Sequence, residues 1–252
     1  MKKTFNLLKW VFAIAFITAS SLSNLAIAQS KLYKKLDKYC KKLPENFASI
    51  PDERKQKLTE IAEWIYQNKS QNKKTQAIVI CTQNSRRSHM GQIWMKVASV
   101  YYGVTDFESF SGGTNASAFN ERAIAALKRA GFVMSKMTNN EGNNVKWEAS
   151  YGSQYPNNLM YSKKYNDQQN PQSDFGAIMV CSEADKSCPM VEGADARFSL
   201  PYDDPKHFDN TPQEAMKYDE RCLQIATEMF FVFNITKNKL VEYAEKAKIQ
   251  SK

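Results

Sequence analysis

The chain has two histidines in 252 residues, His89 and His207, with no ligand spacing between them, so no metal site and no cofactor are expected. It lacks any block of basic residues interleaved with aromatics, which counts against nucleic acid as a partner. No internal repeat is evident, which counts against a solenoid. Beyond the first residues there is no apolar run long enough to cross a membrane.

What the N-terminus does contain is a short apolar stretch, residues 10–17, preceded by Lys2, Lys3 and Lys9 and followed by small and polar residues up to Ala26-Ile27-Ala28. This is the pattern of a secretory signal peptide, expected to span 1–28. No cysteine stands at the expected cut, so a lipid anchor is not indicated, and the expectation is an exported, periplasmic protein without stable membrane insertion. Setting aside the three signal lysines leaves 32 basic against 26 acidic residues, a net charge of about +6 that is compatible with an anionic ligand. All five cysteines (Cys40, Cys81, Cys181, Cys188 and Cys222) lie beyond the cut. An odd number cannot be fully paired within one chain, so at least one thiol is free or cycles.

Residues 29–74 read as a helical extension with a polar linker: one short amphipathic helix over 31–43 and another over 52–69. From residue 77 strands alternate with helices. Strands are expected at 77–80, 107–111, 175–181 and 197–200, and helices at 88–102 and at 120–130, the latter closed by Gly131. A last helix should follow Thr211, whose Thr-Pro-Gln-Glu run has the form of a capping box, with Ile225, Met229, Phe230 and Phe233 facing inward and Cys222 in the core. Residues 137–174 show no steady period and read as an insertion, a lid or partner surface near the site. The alternation predicts an α/β fold, a doubly wound parallel four-stranded sheet, over 75–252.

The chemistry concentrates at Cys-Thr-Gln-Asn-Ser-Arg-Arg-Ser, residues 81–88. A parallel strand that ends in a loop opening a helix collects amide N–H groups at one point, and that point attracts anions. The same field favours the thiolate of Cys81, the nucleophilic form. Arg87 can grip two oxyanion oxygens bidentately, where lysine offers only a point charge. Ser88 is placed to donate to the thiolate, and Asn84 to pin the loop through its own backbone. Thr82, Gln83, Asn84, Ser85, Arg86 and Ser88 are the expected substrate-binding residues.

Cys-x5-Arg-Ser after a buried strand resembles the low-molecular-weight protein tyrosine phosphatases and the thioredoxin-coupled arsenate reductases, which share one fold. Three further segments carry the resemblance: residues 109–132 resemble the second strand and its helix, Asp203-Asp204-Pro205 the aspartate-proline that supplies a general acid, and residues 181–189 the reductase redox segment. The resemblance implies a thiol relay. Cys81 attacks arsenate, Asp204 protonates the leaving oxygen, Cys181 attacks Cys81 and releases arsenite, and Cys188 takes over the disulfide for a thioredoxin-like reductant. The phosphatase alternative needs only Cys81, Arg87 and Asp204, and hydrolyses a phosphomonoester through a phosphocysteine. A third reading is a non-catalytic oxyanion-binding protein.

The sequence departs from the family pattern in four places. Gln83 replaces a glycine and Arg86 a cysteine of the reductase loop. Gln92 stands where many reductases carry a glutamate associated with potassium, so that ion is not expected. Lys206, His207 and Phe208 stand where the phosphatases carry tyrosines. An oxidising compartment would also favour a structural Cys181–Cys188 disulfide unless a dedicated reductant keeps the pair reduced.

Overall fold

Two helices, α1 (Lys34–Lys42) and α2 (Asp52–Ser70), lead into β1 (Thr75–Cys81), α3 (Arg87–Tyr101), β2 (Phe107–Gly113) and α4 (Glu121–Ala130). Three short strands follow, β3 (Val133–Lys136), β4 (Trp147–Ser150) and β5 (Asn158–Met160), and then β6 (Phe175–Met179), α5 (Ser182–Ser187), β7 (Ala194–Ser199) and α6 (Glu214–Gln250). The computed structural model describes residues 31–138, 142–188 and 190–250. The expected signal segment lies outside the described residues.

The expected four-stranded parallel sheet is present, in the order β2-β1-β6-β7. Central β1 is buried at every residue except Gln76, so its β-branched run fills both faces rather than alternating with polar residues. Ile78, Val79 and Ile80 are at most 1% exposed, and each contributes roughly 1.5–3 kcal/mol through burial.

Side chains alternate between faces, so Ala77 and Val79 share one face with their β6 partners Gly176 and Ile178. Three long helices cover that face. A Cβ on Gly91 of α3 would stand 2.7 Å from a Val79 methyl, and one on Gly176 would stand 2.7 Å from the Trp64 ring of α2. Phe233 of α6 meets Phe107 edge-on with ring centres 4.8 Å apart. On the opposite face, Gly112 lies beneath the backbone of Tyr165, and Arg197 and Ser199 of β7 hold Asp185 of α5. Helices thus flank both faces unequally, long on one and short on the other.

The N-terminal helices are built into this core. Leu58, Ile61, Ala62 and Ile65 of α2 are fully buried, and Thr236 of α6 donates to Ala62 O at 3.3 Å. α1 docks its Leu36 backbone against Gly131, the left-handed residue (φ 118°) that closes α4.

Two expectations need correction. Residues 137–174 contain regular structure: β4 and β5 join β3 in a three-stranded antiparallel sheet. Strands of three or four residues with mixed burial are too short to show a period. The last helix begins at Glu214 itself, not at Thr211. Glu214 reaches back to the Asn210 N–H (2.6 Å) instead of Thr211, and Arg122 holds the same carboxylate oxygen at 2.6 Å. That tertiary ion pair overrides the local capping pattern.

Candidate active site

Residues 81–88 run from the last residue of β1 into the first turn of α3. Four carbonyls of this loop point away from its centre. Cys81 O and Thr82 O accept from the N–H groups of Thr114 and Asn115, and Ser85 O accepts from that of Asn120. Gln83 O accepts from the hydroxyls of Ser117 and Ser162. Because a trans peptide sets C=O and N–H on opposite sides, the amides of Thr82, Gln83, Asn84 and Arg86 point the other way. The N-terminus of α3 adds its own first-turn amides, since Arg86 at the N-cap provides no side-chain cap. Gly113 makes this packing possible: a Cβ there would stand 2.1 Å from Asn115 O and 2.8 Å from both Asn84 N and Thr82 O.

Asn84 adopts a left-handed conformation (φ 44°), which asparagine tolerates better than most residues. Its side chain does not pin its own backbone, as the sequence implied. Oδ1 accepts the backbone N–H of Lys163 (2.8 Å), so Nδ2 must be the group that donates to Ser88 Oγ (2.9 Å). Ser88 accepts there, which leaves its own hydrogen free for Cys81 Sγ at 3.0 Å. Cys81 is 4% exposed and faces a cavity of about 670 Å³.

Arg87 is buried, and three of its donors can be followed. Nη1 donates to Tyr202 O (2.7 Å) and Nη2 to Asp204 Oδ2 (2.6 Å). Nε has no acceptor among the described residues. Asp204 also caps the short 3-10 turn Pro205–Phe208 by accepting the Lys206 N–H. Its neighbour Asp203 is 95% exposed and pairs with Arg221. Asp204 is therefore the one held against Arg87, while Asp203, at the cavity's edge, is exposed to solvent.

Cys81, Arg87, Asp204 and Cys181 all line the cavity, together with Lys206 and His207. The Thr82 hydroxyl, next in the chain to Cys81, lies 3.3 Å from Cys181 Sγ and 3.3 Å from a Glu183 carboxylate oxygen. Cys188 is not among the lining residues. Cys181 and Cys188 stand at the N-cap and C-cap of α5. All five cysteines are thiols. Cys222 accepts from Trp94 Nε1 (3.3 Å), and burial pushes its thiol up to about 12, as befits a core residue.

Of the expected binding residues, Thr82, Gln83, Ser85 and Arg86 line the cavity, and the side chains of Ser85 and Arg86 also reach partners beyond the loop. Ser85 donates to Ala118 O. Arg86 donates to the Tyr218 hydroxyl (2.9 Å) and lies 3.5 Å from Asp209. The loop's second arginine thus ties the site to α6 while its Nε stands 4.0 Å from Asp204 Oδ1. No group of three or more potential metal ligands occurs among the described residues, and none of their helices is long and apolar enough to cross a membrane.

Ser162 and Lys163 were not legible in the sequence. From the expected insertion they hold the loop from behind: Ser162 through Gln83 O, Lys163 through Asn84 and through its own carbonyl to the Gly113 N–H. No described residue of 137–174 lines this cavity; Ser162 and Lys163 buttress the loop, and Asn143, Val145 and Trp147 line a neighbouring cavity with Gln83, Ser85 and Arg86. Burial lowers the Lys163 ammonium to about 8, and it lies over the Tyr161 ring at 4.7 Å. Burial and, after it, the charge of Lys163 hold His89 well below its ordinary value, so it sits neutral against Phe119 with ring centres 4.0 Å apart.

No protein-family model matches the chain. An arsenate reductase 2 of Staphylococcus epidermidis is 30% identical over 126 residues, which cover 50% of this chain and 75% of that protein. An arsenate reductase 2 of Staphylococcus haemolyticus matches with the same identity and coverage. Among solved structures, a low-molecular-weight phosphotyrosine phosphatase from Vibrio cholerae O395 superposes with a TM-score of 0.41 at 13% identity, over 69% of this chain and 98% of that one. A thioredoxin-dependent arsenate reductase of Corynebacterium glutamicum gives 0.34 at 18% identity, over 78% and 75%.

Proposed function

The chain belongs to the superfamily of low-molecular-weight protein tyrosine phosphatases and thioredoxin-coupled arsenate reductases, and from that premise we propose that it is an exported reductase of arsenate or a similar oxyanion. One observation carries the choice of reductase: a second thiol, Cys181, buried to 1% exposure, lines the same cavity as Cys81 and lies 3.3 Å from the hydroxyl of the adjacent Thr82. A hydrolase has no use for that thiol.

Arsenate enters against the loop amides, and Arg87 exchanges Asp204 for the substrate, with Nε and one Nη as a bidentate pair of donors. The exchange frees Asp204 to hold the proton that the leaving oxygen needs. Cys81 Sγ attacks arsenic; the S–As bond forms, an As–O bond breaks, and the oxygen leaves as water with the proton from Asp204. Ser88 stabilises the thiolate before the attack. The Cys181 thiolate then attacks Cys81 Sγ. The S–S bond forms as the S–As bond breaks, and the bond's electron pair stays on arsenic, which leaves as arsenite. Two thiols have been oxidised by the two electrons that arsenic gained.

Cys188 completes the relay by attacking Cys181, which returns Cys81 to the thiolate. It is half-buried where Cys181 is closed off, so the final disulfide is the one a thioredoxin-like reductant can reach. Export rests on the lysine-flanked apolar segment before residue 28, and N-terminal sequencing of the mature protein tests it.

Phosphomonoester hydrolysis is the second reading, and one observation favours it: α5 separates Cys188 from Cys181. Cys188→Ser decides between the two. The relay requires multiple-turnover arsenate reduction to stop while one equivalent of arsenite is still released. Undiminished multiple turnover in that variant rules the relay out.

A further inference from the structure

Asp204 and Arg87 are held by a segment whose own support comes from outside the catalytic core. In Pro201-Tyr202-Asp203-Asp204, the Tyr202 N–H donates to Val180 O (3.1 Å) and the Tyr202 carbonyl accepts Arg87 Nη1. The far side of this segment rests on α2. Arg54 donates from Nη1 to Pro201 O (2.8 Å) and lays its guanidinium over the Tyr202 ring, 4.4 Å from the centroid. Its Nε and Nη2 grip both oxygens of Glu228 on α6, at 2.9–3.1 Å. Tyr202 closes the triangle by donating its hydroxyl to Glu228 Oε2 at 2.7 Å. The Arg54 and Glu228 side chains are 15% and 3% exposed.

Resting on the catalytic reading above, we propose that Arg54 is a positioning residue for the acid loop: the N-terminal helix α2 sets, through Pro201 and Tyr202, where Asp204 and Arg87 meet the oxyanion. Only arginine supplies this geometry. One planar fork binds a carboxylate on one edge and a carbonyl on the other while its face covers an aromatic ring. Lysine can satisfy one of the three. A purely structural role, joining α2 to α6, would need only the Glu228 contact. The Pro201 and Tyr202 contacts are what aim Arg54 at the acid loop. Tyr202 remains a donor throughout, because burial and the adjacent Glu228 carboxylate raise its phenol well above the ordinary value. Residue 54 lies on an N-terminal helix, 147 positions before the Pro201 carbonyl it holds, so the acid loop is supported by an element far from it in sequence.

The test compares Arg54→Met, Arg54→Lys and Glu228→Gln with the wild-type full chain by two readouts. The first is amide hydrogen exchange over residues 198–206, which needs no turnover. The second is kcat/KM for phenyl phosphate, a poor leaving group, against p-nitrophenyl phosphate, a good one. A misplaced general acid costs most where the leaving group needs its proton. Both Arg54 variants are expected to raise exchange over 198–206 and to lower kcat/KM for phenyl phosphate about tenfold more than for p-nitrophenyl phosphate. Equal losses on the two esters, or faster exchange confined to α2 and α6, overturn the proposal. A wild type that hydrolyses neither ester sinks the hydrolytic alternative, and the exchange comparison then decides the brace alone. Arg54→Lys and Glu228→Gln keep most of the packing, so the comparison survives if Arg54→Met does not fold.

Discussion

Passing a disulfide from Cys181 to Cys188 requires α5 to open, and the size of that change follows from its geometry. The two cysteines are seven positions apart at the ends of a six-residue helix. At about 1.5 Å per residue their Cα atoms are roughly 10 Å apart, against a disulfide limit of about 7 Å. The helix must therefore unwind. What resists is a clasp from β7: Arg197 Nη2 donates to Asp185 Oδ1 (2.6 Å) and Asp185 O (2.8 Å), Nε to Cys188 O (3.2 Å), and Ser199 Oγ to Asp185 Oδ2 (2.7 Å). Arg197 and Asp185 are about a quarter exposed, so their charge-assisted bonds are discounted to about 1–2 kcal/mol in total. The clasp stabilises only the dithiol form. Arg197→Ala should therefore make the Cys181–Cys188 disulfide easier to form and lower its reduction potential by about 20–40 mV. Redox titration against dithiothreitol, read by thiol alkylation and mass spectrometry, measures the shift. An unchanged or raised potential would refute the idea that α5 must be released for the relay.

Asp204→Asn should slow single-turnover arsenate reduction about 10²–10⁴-fold while leaving phosphate binding in place, by quench-flow assay of arsenite and isothermal titration calorimetry; an unchanged rate would show that Asp204 is not the acid. Gly113→Ala places a methyl group 2.1 Å from Asn115 O. It should cost about 1–3 kcal/mol of stability and abolish oxyanion protection of Cys81 against iodoacetamide; full protection would show that the loop does not depend on this contact. Lys163 gives a pH signature. Its ammonium is lowered from 10.5 to about 8 in the folded protein, so the unfolded chain binds more protons between those values, and stability rises with pH across that window by up to about 3 kcal/mol. Lys163→Met should remove this rise, seen as a flatter urea midpoint between pH 8 and 10.5 than in wild type. Identical slopes would contradict the burial of that charge.

The sequence was legible where chemistry is local. The β1–loop–α3 unit and the close of α4 at Gly131 each depend on residues within one short window, and the structure has them there. The role of Asn84 was misread because its partner, Lys163, lies 79 residues away. The tie from Arg86 to α6 was illegible for the same reason, since Tyr218, which takes its Nε, is 132 residues distant. The start of α6 moved because Arg122, on another helix, claimed the capping carboxylate. The buttress was invisible because strands of three or four residues with one face half-exposed carry no period.

The central claim is that Cys181, and not water, resolves what Cys81 has attacked. Anaerobic incubation of the fully reduced protein with arsenate, followed by thiol counting and disulfide mapping, tests it most directly. The relay predicts that five thiols fall to three, with Cys181–Cys188 joined in the wild type and Cys81–Cys181 trapped in Cys188→Ser. Five thiols remaining, with no arsenite formed, would contradict it.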